Sequence, residues 1–237
     1  MNDSLNNQKT EFDAYAADYD AALHRGVSLS GERKEYFAEA RIAWLKRRLG
    51  AGAEKLGTVM DFGCGTGSGV PFLHAQLRPR EILGVDISSA SLEIARSEHA
   101  ALPAHFLHVS EDAPVSSVNL VFSNGTFHHI PPAERPGALE YLQRALMPGG
   151  VLAIWENNPW NPGTRMVMAR IPFDRDAMPV SAPVLARLVR AAGFEVLAVD
   201  FCFVFPKVLR GLRFMEPWIV KLPLGAQYLV LARKSSR

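Results

Sequence analysis

The stretch from Val59 to Gly67, V-M-D-F-G-C-G-T-G, constrains this chain more than any other. Its opening residues form the short apolar run of a fully buried strand. The run ends in glycines at alternate positions, Gly63, Gly65 and Gly67. A residue without a Cβ lets the backbone turn tightly and come within contact distance of a ligand. Asp61 stands at the mouth of this turn, and Asp86 closes the next apolar run. A plain strand-to-helix turn needs neither acid, so the pattern predicts a nucleoside-containing cofactor at the end of a parallel strand.

The glycine spacing narrows the choice of nucleotide. A dinucleotide fingerprint requires G-x-G-x-x-G, but the sixth position is Ser68 counted from Gly63 and Val70 counted from Gly65. A phosphate-binding P-loop requires Gly-Lys-Ser/Thr, and no lysine lies between Lys55 and Lys207. The loop brings no positive charge for a pyrophosphate. Asp61 instead suits a ligand that carries an amine or a sulfonium.

D-F-G-C-G-T-G resembles motif I of the class I S-adenosylmethionine (SAM)-dependent methyltransferases, and later segments follow in that family's order. I-L-G-V-D-I (82–87) resembles the second strand, and Leu120–Ser123 with the N-G-T-F-H-H-I after it resembles the fourth. A-L-M-P-G-G-V-L-A-I (145–154) resembles the turn into the fifth. The resemblance covers roughly residues 55–160, and the chain as a whole is similar to bacterial small-molecule methyltransferases related to those of ubiquinone and menaquinone biosynthesis. It implies a Rossmann-like, doubly wound seven-stranded sheet of order 3-2-1-4-5-7-6 with strand 7 antiparallel, under an N-terminal helical lid. It also implies SAM as cofactor and S-adenosylhomocysteine as product.

Carried onto this sequence, the resemblance puts the cofactor against Asp61, Gly63, Cys64, Gly65 and Gly67, with Asp86 on the ribose hydroxyls and Ile87 on the adenine face. Ser88 and Ser89 already supply an N-cap for the helix that follows Asp86, which leaves that carboxylate for a ligand. After strand three the family's usual Gly-Asp pair is here Val109-Ser110, so Ser110, Glu111 or Asp112 takes over the reading of the adenine amine. Ser123 and Asn124 end strand four beneath the methionine moiety.

Alternation of apolar strands with amphipathic segments predicts βαβ units and a parallel sheet: strands at 58–62, 81–86, 105–109, 118–123 and 150–156, helices at 68–77, 89–98 and 133–146. Helix 183–192 ends at Gly193, and strands near 194–205 and 226–233 complete seven. Residues 11–49 are helical in pattern, with Tyr36, Phe37, Ala40, Ala43 and Trp44 marking a buried face. A single domain of 1–237 is expected, with a lid at 1–50, a SAM-binding core at 51–160 and a C-terminal part at 161–237 carrying strands six and seven and a helical insertion.

In such sheets ligands lie beyond the carboxyl ends of the strands, and the residues there are the catalytic candidates. His128 and His129 follow strand four, where one of them could serve as general base. No Cys/His/Asp set at ligand spacing accompanies the pair, so no metal is expected. Glu156 and Asn157 end strand five and are polar enough for a pocket wall. Tyr15, Tyr19 and Tyr36 of the lid segment are further candidates for the acceptor pocket. The long stretch 201–224 carries apolar residues, Trp218 among them, beside Lys207, Arg210, Arg213 and Lys221. It reads as the wall of a pocket for a bulky apolar or aromatic acceptor, as a homodimer face or as a membrane-surface contact, the first being preferred.

Composition excludes other classes. With 48% hydrophobic residues the chain can bury a full core, and its formal net charge of +2 gives no basic stripe for nucleic acid. Cys64 and Cys202 form no disulfide framework. The N-terminus is too polar for a signal peptide, and no apolar run reaches the length of a membrane span. A cytoplasmic enzyme without integral membrane association, acting on a small molecule, is expected.

Overall fold

The computed structural model describes residues 30–237 apart from 112, 113, 175, 236 and 237. Tyr15, Tyr19 and Asp112 lie outside the described residues. Seven strands, β1 (Thr58–Phe62), β2 (Glu81–Asp86), β3 (Ala104–His108), β4 (Val118–Asn124), β5 (Leu146–Asn157), β6 (Phe194–Cys202) and β7 (Gln227–Lys234), form one sheet of order 3-2-1-4-5-7-6. β1 to β5 run parallel, and β7 inserts antiparallel between β5 and β6.

The sheet is covered on both faces, so β1 has no polar side to show solvent and is buried from Val59 to Phe62. Its alternate residues feed two cores. Met60 and Phe62 join α4 (Arg135–Ala145) and α6 (Ala182–Ala191) through Leu139, Leu142, Leu185 and Val189. Val59 joins the opposite layer of α1 (Lys34–Leu49), α2 (Val70–Leu77) and α3 (Ser89–Glu98) through Ile42, Leu45, Leu73 and Leu92. Asp61 shares the Val59 side of the pleat. An acid at that buried position has no packing purpose.

Local signals act where the sequence placed them. The Ser88 side chain caps α3 by accepting from the Ser91 N–H at 3.1 Å, and Gly193 follows α6 with φ +87°. On α1 the buried stripe is Ile42 and Leu45, while Ala43 is exposed. Tyr36 and Phe37 pack instead on Phe203 just beyond β6, with ring centroids 6.4 and 5.2 Å away. The helix is also tied to β6 by charge: Asp200, fully buried, accepts from Arg48 Nη2 at 2.6 Å, Trp44 Nε1 at 3.0 Å and Lys221 Nζ at 2.7 Å. Among the described residues no helix is long and apolar enough to cross a membrane.

β1 lies where the strand order reverses, with β2 on one side and β4 on the other. The crevice beyond their carboxyl ends is where such a sheet binds its ligand.

Candidate functional site

The three loop glycines all have positive φ (+75°, +53° and +77°) but serve different ends. A Cβ on Gly63 would collide with the Thr126 side chain, and one on Gly67 would lie 2.6 Å from the His99 ring. A Cβ on Gly65 would meet nothing within 4 Å. Gly63 and Gly67 therefore let the loop pack on its neighbours, whereas Gly65 faces open space. The loop is braced from both sides, by Thr126 Oγ1 donating to Phe62 O at 3.1 Å and by a 3.2 Å contact between His99 Nε2 and Thr66 O.

Two acids face this loop. Asp86 Oδ2 accepts from the Gly65 N–H at 2.7 Å and Oδ1 from the Ser88 N–H at 2.9 Å. A carboxylate offers about four acceptor positions, so it retains acceptor capacity for a ligand. Burial raises the Asp86 pKa despite these amides. Asp61 is buried, and its pKa is pushed up to about 7 by burial and by the negative charge of Asp86. Among the described residues, two more polar atoms, Ser123 Oγ and Asn124 Oδ1 at the end of β4, are buried with no hydrogen-bond partner. An open cradle, two acids and orphaned acceptors fit a ligand that brings hydroxyls and positive charge.

At the end of β3, Ser110 and Glu111 are exposed and turned toward His108: Ser110 Oγ lies 2.6 Å from its Nδ1, and Glu111 Oε1 accepts from its N–H at 2.8 Å. His108 Nε2 in turn lies 2.8 Å from the carbonyl oxygen of Ile87. Ser110, Glu111, Asp86 and Ile87 thus sit together at the β2–β3 end of the sheet's carboxyl edge, outside the lining of the cavity described below.

The other end is a polar wall. His128 Nδ1 lies 2.7 Å from Glu156 Oε2, and Glu156 Oε1 accepts from the Phe127 N–H at 2.7 Å. His128 Nε2 and His129 Nε2 lie 3.5 and 3.4 Å from Asp174 Oδ1. Burial works against charge on His128, but Glu156 and Asp174 outweigh it and raise its pKa to about 10. Burial lowers the pKa of His129. Asp174 is held low, burial being outweighed by its contacts with the two histidines.

Two of these roles were not legible in the sequence. Asp174 closes a 3-10 turn (Pro172–Asp174) that follows α5 (Pro162–Met168), and only the fold brings it to the histidines. Arg135 is buried and gathers the carbonyls of Phe127, Ile130 and Met178, which pins the histidine turn to the segment that carries Asp174. The one sequence cue for Asp174 was the pair of acids in I-P-F-D-R-D (171–176) after a proline.

A cavity of about 690 Å³ joins the glycine loop to this wall. Asp61, Gly63, Cys64, Gly65 and Asn124 line it at the loop end, and His128, His129, Asp174 and Asn157 at the other. Tyr36, Phe37, Phe203 and Phe205 supply an apolar side. Two expectations are corrected here. Glu156 stands behind His128 rather than on the cavity surface, because its carboxylate is consumed by that ring and the Phe127 amide. Trp218, in α7 (Glu216–Ile219), is 75% exposed and outside the cavity lining. The preceding 3-10 segment Lys207–Met215 has no buried residue and turns its apolar side chains outward.

Residues 59–150 match the family model described as "Methyltransferase domain". The chain is 31% identical to the trans-aconitate 2-methyltransferase of Acidovorax sp. (strain JS42) over 96 residues, 40% of this chain and 36% of the relative. It is 29% identical to the Methylobacterium radiotolerans enzyme of that name over 188 residues, 77% of this chain and 68% of the relative. The match thus spans about a third of the length of the first relative and about two thirds of the second. Among solved structures, the TehB-like SAM-dependent methyltransferase of Corynebacterium glutamicum superposes with a TM-score of 0.61 at 18% identity, over 94% of this chain and 98% of that one. Fold, crevice and glycine loop define a Rossmann-like nucleoside-binding domain. Residues 59–150 match a methyltransferase domain, and the chain is similar to bacterial SAM-dependent methyltransferases, whose cofactor is SAM.

Proposed function

We propose that this chain transfers the methyl group of SAM to a small molecule held in the cavity between the glycine loop and the His128–His129–Asp174 wall. The continuity of that cavity carries the proposal: a cofactor bound over Gly65 shares one space with an acceptor at the wall. SAM supplies a methyl already activated on a sulfonium. Asp86, Ser110 and Glu111 would hold its nucleoside end, and Asp61, Asn124 and the open face of Gly65 its methionine end. The work left to the protein is to keep acceptor and methyl in line and dry, and orientation of that kind can supply about 7–11 kcal/mol.

The acceptor's nucleophile is assigned to the wall, and its apolar body to Phe37, Phe203 and Phe205. Glu156 is a positioning residue that fixes His128. A bulky apolar or aromatic acceptor suits this lining. A polycarboxylate is the second possibility, favoured by the activity named for the relatives and by Arg41 and Arg213 along the cavity. A SAM-binding protein without transferase activity is disfavoured, since its acceptor space would be filled by side chains.

The test is incubation with methyl-labelled SAM and two acceptor panels, hydrophobic phenols and small polycarboxylates, with product mass as readout. A thermal shift with SAM and S-adenosylhomocysteine but not NAD or NADP checks the cofactor separately. Binding of SAM with no label transferred to either panel would favour the regulatory alternative.

A further inference from the structure

The spacing of the three groups at the acceptor wall is long for direct hydrogen bonds. His128 Nε2 and His129 Nε2 both point at one oxygen, Asp174 Oδ1, at 3.5 and 3.4 Å. Good N–H···O hydrogen bonds are about 2.9–3.0 Å long, and a buried charged pair should be no longer. Two donors that each sit about 2.0–2.1 Å from a common metal ion, at tetrahedral or octahedral angles, lie about 3.0–3.4 Å apart. One donor atom from each of His128, His129 and Asp174 lies within 4.8 Å of the other two. The contacts are long for hydrogen bonds and close to the spacing of a first coordination shell.

The surroundings fit the same purpose. Glu156 Oε2 engages His128 Nδ1 at 2.7 Å, which leaves Nε2 as the nitrogen presented to Asp174. A carboxylate behind a histidine in this way fixes the ring and its tautomer in metal sites. Glu156 is itself held by the Phe127 amide, and Met178 N donates to His128 O at 2.7 Å, so the ligand-bearing segments are locked together. His128 and Asp174 are buried, yet all three groups reach the cavity. Two imidazoles and one carboxylate on one side of an ion, with the other side open to a cavity, make a site that keeps positions free for a ligand.

We propose that His128, His129 and Asp174 bind one divalent transition-metal ion, with Glu156 as the positioning residue behind His128 and the open coordination positions facing the acceptor. The ion's role toward the acceptor rests on the function proposed above; its binding does not. An acceptor oxygen on such an ion would lose its proton more readily, so the wall would prepare the nucleophile without a free histidine base.

The test uses the full chain, stripped with chelator and dialysed. Titration with Co²⁺, followed by visible absorption, and with Zn²⁺, followed by calorimetry, should show saturation at one ion per chain. Asp174→Asn and His129→Gln should each weaken binding at least tenfold, and Glu156→Gln by about 10- to 100-fold. Circular dichroism of each variant checks the fold, and His129→Gln, at a partly exposed site, is retained if a buried substitution does not fold. SAM binding is measured on the same samples. Wild-type protein that binds SAM but shows no saturable Co²⁺ or Zn²⁺ binding would overturn the metal site and leave the methyltransferase proposal standing. Metal binding that is unchanged in folded His129→Gln would also overturn it, by placing the ion elsewhere. Loss of SAM binding in the wild type would instead strike the proposed function.

Discussion

The backbone N–H of Gly65 donates to Asp86 Oδ2 across 2.7 Å, so the glycine loop after β1 and the acid at the end of β2 form one hydrogen-bonded unit. The acid assigned to the ribose hydroxyls thereby also fixes the height of Gly65, the one of the three loop glycines whose Cβ would meet nothing within 4 Å. Asp86→Ala should weaken SAM and S-adenosylhomocysteine alike, by about 1.5–3 kcal/mol, the scale for hydrogen bonds to a charged group. Calorimetry with both ligands is the check. Unchanged affinity would remove the ribose role from Asp86.

The glycines separate folding from binding. Gly65→Val puts a side chain into space that no described residue fills within 4 Å. Apart from the strain of its positive φ, which it shares with Gly63, it meets no clash. The variant should fold with reduced stability but lose SAM binding. Gly63→Ala has no such room, because its Cβ meets Thr126, and at positive φ the backbone itself costs on the order of 1–2 kcal/mol. It should lower Tm markedly. A Gly63→Ala protein as stable as wild type, or a Gly65→Val protein that binds SAM normally, would reverse the two roles.

Asp61 gives the cofactor site its pH dependence. Its native pKa of about 7 exceeds the roughly 3.9 of an unfolded aspartate. The native state therefore holds a proton that the unfolded state has lost, and stability of the ligand-free protein should fall as pH rises from about 4 to 7. A cationic ligand favours the ionised acid, so SAM binding should release a proton and tighten as pH rises from 6 to 7.5. Asp61→Asn should flatten both trends. Calorimetry in buffers of different ionisation enthalpy measures the proton count, and proton uptake on binding would contradict the assignment.

Asp200 anchors the helical layer over the cavity. It is fully buried against Arg48, Trp44 and Lys221. Its pKa is depressed, the bonds to Arg48, Lys221 and Trp44 outweighing burial. Stability from a depressed acid is present above its unfolded pKa and is lost as pH falls through the native one. Asp200→Ala should cost about 1.5–3 kcal/mol at pH 7, with the gap to wild type closing below about pH 4. Chemical denaturation at both pH values tests this. An equal gap at pH 7 and pH 3 would mean that packing, not charge, holds α1 to β6.

The parallel, doubly wound sheet and the glycine loop were legible because both are written in contiguous residues, whereas the order 3-2-1-4-5-7-6 and the antiparallel β7 rested on the family resemblance. Val59–Gly67 carries a strand, a turn and its acid in one window, and each parallel strand is a short apolar run bounded by a turn. The acceptor wall was legible only in part. His128 and His129 stand out as a doublet, but Asp174 reaches them from the far side of β5 and α5, and no local pattern encodes that approach. Glu156 was visible as an acid ending a buried strand. Its turn toward Phe127 and His128 depends on tertiary packing. The outward face of 207–219 was misjudged for a related reason: apolar residues at helical spacing do not say which way a short 3-10 segment will roll.

That last difference yields a paired test. Trp218 is 75% exposed, with Phe214 as its aromatic neighbour at 6.1 Å. An exposed substitution of this kind changes stability by no more than about 0.5 kcal/mol, and Trp218→Ala should leave SAM affinity, acceptor KM and kcat within error. Phe203 is the apolar residue of this region that does line the cavity. It packs against Phe37 at 5.2 Å and Trp155 at 6.0 Å, and it holds φ +64°, a conformation that bulky side chains rarely adopt. Backbone held in that region costs on the order of 1–3 kcal/mol and persists where the surroundings impose it, often at a ligand site. Phe203→Ala should raise the acceptor's KM by about three- to tenfold, the scale of one lost aromatic contact of about 0.5–1.5 kcal/mol, while SAM affinity stays unchanged. Phe203→Gly, which suits the positive φ, should bring stability back but not KM. If Trp218→Ala raised KM and Phe203→Ala did not, the acceptor would lie on the outer face of 207–219, and the cavity beside His129 would lose its assignment.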